Sequence, residues 1–279
     1  MLFFAFFPPP CGNPLCALTR TRRPAPNLDS LNRGGNLGRV MDYSNRTYLV
    51  SAAPADVRAS FYRKTYGTAA LAFAAWAVLL GGLFESGAAV PIIKLMFAAK
   101  FSWLLVLGVF WVATHFGQRF AFGETRATQY LGLGIHIAAY AVLFVPLIGV
   151  VLVQSGGNPD DAFAEILLPA GVSTAALFAA LTATVFMTKT DFSFLRTAVI
   201  IGSFLALGAI VLFTLFGVTV GVWFAIAMTL LMSAAILWQT HQLKNSCDTS
   251  QHIGAATIIF AAFMTLLWYV IQIFLTRRD

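Results

Sequence analysis

Residues 181–196 read LTATVFMTKTDFSFLR. A threonine-dotted apolar stretch ends in one charged knot, Lys189-Thr190-Asp191, and a new apolar run starts at Phe192. Long apolar runs precede this stretch from about residue 67, and three follow it up to about residue 275. A polar knot between two runs of bilayer length is the pattern of two membrane helices joined by a short loop.

The composition extends that reading to the whole chain. Apolar residues make up 59% of the 279, charged residues 10%, and the mean hydropathy is +0.79. Soluble domains carry about 25% charged residues, so these charges could not cover a water-facing surface. The expected fold is an all-α integral membrane protein with seven transmembrane helices. The spans are expected at about 67–84, 95–116, 129–152, 166–187, 192–216, 220–240 and 253–275. Leading into the second, AVPIIKLMFAAK (89–100) reads as an interfacial, amphipathic entry. His115 to Arg126 reads as a polar loop, Pro146 as a break in the third span, and 155–165 as an acidic loop.

Residues 1–44 form a basic arm of disordered composition, and Met41 is an alternative start; residues 45–279 are the membrane domain. The net charge of +7 does not indicate nucleic acid, because the basic residues sit in the arm and the loops. With the N-terminus in the cytosol, 14 of 18 Lys and Arg fall inside; only Lys94, Lys100, Arg277 and Arg278 fall outside. This asymmetry orients the chain. Compact loops suit a bacterial inner membrane.

At 181–196 the wording resembles the signature of the Bax inhibitor-1/YccA family of seven-helix membrane proteins. GVWFAIAMTLLMSAAILWQTHQ (221–242) resembles that family's sixth helix, and HIGAATIIFAAFMTLLWYVIQIF (252–274) its seventh. The resemblance implies a last helix at the centre, surrounded by the other six. It also implies a calcium leak gated by pH, in which aspartates on the sixth and seventh helices share a proton and latch the pore. Two nearby carboxylates cannot both ionise cheaply, so their titration moves toward neutral pH.

This chain departs from that pattern at the latch. The sixth-helix motif reads Leu237-Trp238-Gln239-Thr240, with Gln239 at the first aspartate position. The second falls on Ala262. Where some members carry a third-helix glutamate, the chain reads Ala139-Tyr140. Gln239 can hydrogen-bond but cannot titrate.

Candidates for an ion path or gate are Asp191, Gln239, Thr184 and Thr188. Each has a plainer reading. Asp191 can cap the fifth helix. Thr184 and Thr188, like Thr182, can bond back to their own backbone. Gln239 can mark an interfacial helix end. His136 reads as an interhelical hydrogen bonder rather than a metal ligand. No His-Glu-x-x-His, Gly-x-Ser-x-Gly or zinc-ligand cluster occurs, so no catalytic residue, metal or cofactor is expected. The function expected from the resemblance is a cation leak channel or transporter, with calcium as the ion, lacking the di-aspartate latch. The alternative is a regulatory protein that binds another membrane protein such as a membrane protease. In either case the lipid bilayer is the first partner.

Overall fold

A computed structural model describes residues 49–99, 101–188, 190–217 and 221–276. The arm, the alternative start at Met41, Lys100, Lys189, Arg277 and Arg278 lie outside these residues. The elements are α1 (Ala55–Glu85), a short α2 (Ala89–Met96), α3 (Ser102–Ala121), α4 (Arg126–Gln154), α5 (Pro159–Met187), α6 (Leu195–Phe216), α7 (Val222–Ser246) and α8 (His252–Thr276). Among the described residues there is no strand, only an isolated antiparallel bridge between Leu49 and Asp248. Seven described helices, all but α2, are long and apolar enough to cross a membrane.

Several helices overrun their expected ends, because polar residues at the interface can stay helical while their side chains reach water. α1 takes in Arg58, Arg63 and Lys64, and α3 runs through Gln118 and Arg119. α5 starts at Pro159, where Asn158 Oδ1 accepts from Asp160 N–H at 3.0 Å; the acidic loop is therefore helical, with a π turn over Phe163–Leu167. Pro146 does not break α4. Its missing N–H costs one backbone bond, and Phe144, Val145 and Leu147 pack the same turn out of contact with solvent or lipid. α6 ends where Gly217 takes φ +68°, a left-handed cap that a Cβ would disfavour.

Burial separates the helices. In α8, 78% of the most apolar stretch is buried, against 17% in α6. α8 packs on α1, α3, α4, α5 and α7, whereas α6 packs on α7. Aromatic rings fill the space around α8. Phe144 meets Trp76 at 5.0 Å and Trp268 at 5.3 Å between centroids, and Phe73 meets Phe260 at 5.2 Å. The outer faces carry Leu71, Val78, Leu205 and Phe216, all strongly exposed. Such surfaces would associate in water and are at ease in hydrocarbon.

Two contacts fix the frame. Small residues let α3 and α4 touch backbone to backbone: Gly132 faces Gly117 O and Ala121 N with no room for a Cβ. At the other contact, Val50 N–H donates to Cys247 O at 2.9 Å and Ser51 Oγ to Asn245 O at 3.1 Å. Val50 is fully buried in an apolar cluster with Phe61, Leu243 and Ala255.

Candidate functional site

The charged knot and the end of α7 come together. Asp191 precedes α6 in the loop, and its Oδ1 accepts Ser193 N–H at 2.9 Å and the Ser193 hydroxyl. This is a local turn in which a short carboxylate satisfies backbone two residues on. Helix α6 itself begins at Leu195, later than expected. Those two bonds from Ser193, followed by nearby His241, hold the exposed Asp191 carboxyl below its ordinary pKa. Its stabilising contribution is therefore present above the ordinary carboxylate value and lost as pH falls through the lowered one. Asp191 stays ionised across pH 5–8. Ser193→Ala is expected to move the Asp191 titration upward toward its ordinary position, read by carbon-13 NMR of the carboxyl. An unmoved titration would assign the depression to the Ser193 backbone N–H and to His241 instead.

His241 Nε2 lies 3.6 Å from Asp191 Oδ1 and 2.9 Å from Asn245 Nδ2. The amide N–H donates to the neutral ring; a protonated ring faces the carboxylate. One turn on, Lys244 Nζ donates to Val185 O at 3.0 Å and sits 5.7 Å from the centre of the Phe186 ring. A cation on the last carbonyls of α5 complements that helix end. The foot of α7 is thus tied to both sides of the α5–α6 loop.

Gln239 stands inside this end rather than on it. α7 continues past them to Ser246, and Gln239 and Thr240 are buried, at 6% and 7% exposure. Gln239 Oε1 has no hydrogen-bond partner among the described residues. Ala262, where the resemblance would put the second latch acid, is buried on α8. Thr184 is exposed and its hydroxyl donates to Ala180 O at 2.8 Å, while Thr188 ends α5 with its N–H on Thr184 O at 2.9 Å. Both threonine positions are thus engaged with their own helix. A small crevice opens nearby between α1, α5, α7 and α8, lined by Tyr62, Thr65, Phe186 and Thr240 among others. None of Asp191, Gln239 and Ala262 lines it.

His136 is fully buried, and its Nδ1–H donates to Gly132 O at 3.0 Å within α4. It also fills the α3–α4 contact, since a Cβ on Gly117 would come within 2.7 Å of Nδ1. Among the described residues no three His, Cys, Asp or Glu side chains converge as a metal site would require.

One polar contact escaped the sequence reading. Tyr140 Oη on α4 lies 3.1 Å from Ala261 O and 2.9 Å from Thr265 Oγ1 on α8; Thr265 Oγ1 also reaches Ala261 O at 2.8 Å. All of it is buried. The available signal was a tyrosine and a threonine in two largely apolar spans, which lipid would not favour without partners.

Seven apolar helices, the last of them the most deeply buried of the described spans, define a polytopic membrane protein. The family model described as "Inhibitor of apoptosis-promoting Bax1" matches residues 58–279, and the chain belongs to this Bax inhibitor family. No curated protein and no solved structure matches it.

Proposed function

We propose that the chain is a cation leak protein, with calcium as the ion, whose conduction is not controlled by a carboxylate latch. The observation that carries this is Gln239. A buried amide oxygen with no protein partner costs about 1–3 kcal/mol, and Gln239 Oε1 is in that state at the position of the first latch acid. A neutral acceptor there can coordinate a passing cation or water and cannot be switched by protons. Asp191, ionised and exposed at the same end of the bundle, supplies an attractive mouth. The N-terminal side is taken as cytosolic and the membrane as a bacterial inner membrane. Residues 1–44 are taken as a basic arm apart from the membrane domain.

Reconstitution tests this. Calcium flux into proteoliposomes is expected to vary less than about twofold between pH 5 and 8, since neither Gln239 nor Asp191 has an ordinary pKa in that range. Asp191→Asn is expected to lower the flux without giving it a pH dependence. A steep titration in the wild-type protein, abolished by Asp191→Asn, would mean that this acid has taken over gating.

A second reading is favoured by the packed interior. The rings of Tyr140, Phe144, Phe260 and Trp268 close the space between α4 and α8. A bundle filled in this way can act through its faces, regulating a partner such as a membrane protease. Absence of flux, together with a protease co-purifying from native membranes, would favour it over the leak.

A further inference from the structure

The Tyr140–Thr265 contact is a closed ring of three polar atoms across α4 and α8. Each hydroxyl has one proton. Thr265 can donate to Ala261 O, and Tyr140 can donate to Thr265 Oγ1 or to Ala261 O, so both protons are used whichever way they point. The Phe110 and Phe260 rings stand edge-on to Tyr140, at 5.0 and 5.6 Å between centroids. They keep water and lipid off the bond, which strengthens it. The contact joins α4 to the most buried helix of the bundle, one turn from Ala262.

We propose that the Tyr140–Thr265 pair is a hydroxyl bolt that holds α4 on α8 in the closed arrangement, independently of protons. The role of opening rests on the leak reading; the bolt itself rests on the geometry. No Asp, Glu, Lys or Arg is buried among the described residues. The titratable groups nearest the pair along their own helices are His136, one turn back on α4, and Tyr269, one turn on along α8. A phenol and an alcohol do not ionise between pH 5 and 8, so the bolt has one state over that range.

The test uses the full chain in proteoliposomes and two readouts. Tyr140→Phe keeps the ring and removes the hydroxyl; Thr265→Val removes the partner; Thr265→Ser keeps it. Hydrogen exchange of the α8 amides around residues 261–265 is expected to rise about fivefold in Tyr140→Phe and in Thr265→Val, the factor given by one lost buried hydrogen bond. The double variant is expected to match the singles, and Thr265→Ser to match wild type. Calcium flux is expected to rise by a similar factor at every pH from 5 to 8. Unchanged exchange in both single variants would overturn the bolt, whatever the flux does. Faster exchange without flux in any variant would leave the bolt standing and overturn the leak reading instead. A flux increase confined to low pH would overturn its proton independence.

Discussion

Gly132→Val is expected to cost at least about 3 kcal/mol, enough to remove most folded protein from the membrane, because an over-packed site this rigid has nothing flexible to move aside. The new side chain would meet Ala121 N and Gly117 O, which are backbone atoms of α3. Helices in lipid gain little from hiding apolar surface, so close van der Waals approach is what holds α3 on α4. Gly134, two residues on, has nothing within 4 Å of an added Cβ. Gly134→Ala is therefore expected to be neutral or to stabilise by up to about 1 kcal/mol through helix propensity. Thermal unfolding in detergent, followed by fluorescence-detected size exclusion, separates the two. Equal melting temperatures for both variants would mean that α3 and α4 part without cost.

Installing both acids, Gln239→Asp with Ala262→Asp, is expected to give calcium flux that changes at least about tenfold between pH 5 and 8. Two buried carboxylates at short range share one proton, and their paired titration is raised out of the ordinary range toward neutrality. Either acid alone stays protonated, because an isolated carboxylate in hydrocarbon neutralises rather than ionises. The single variants are therefore expected to keep the flat profile. A flat profile in the double variant, with folding intact, would mean that positions 239 and 262 do not face each other. The leak reading would then lose its explanation for the missing pH response.

The architecture was legible because hydrocarbon leaves few choices. Backbone polar groups in lipid must be satisfied within the segment, so each long apolar run had to be a helix. The helix ends were less legible. Residues such as Arg58, Arg119 and Lys244 look like loop residues in composition but are helical, because long cationic side chains can reach headgroups from inside a helix. Pro146 looked like a break, but neighbouring helices bury that turn. The site was half legible. Position 239 followed from the resemblance, but its burial did not, because one-dimensional spacing does not tell a helix end from a helix interior. The pairing of Asp191 with His241 joins residues 50 apart, and that of Tyr140 with Thr265 residues 125 apart. No local period encodes partners at such separations.

The strap at Val50 has a mechanical result. It fastens the α7–α8 turn to the stretch that leads into α1 through a main-chain bond and a buried side chain. Those three helices therefore share one anchor at that end of the bundle. If α8 were to slide along its axis, it would drag α1 with it or tear Val50 from its seat. Any widening of the bundle is thus left to the helices outside that anchor, and a bulky tag fused just ahead of residue 49 would load the same joint.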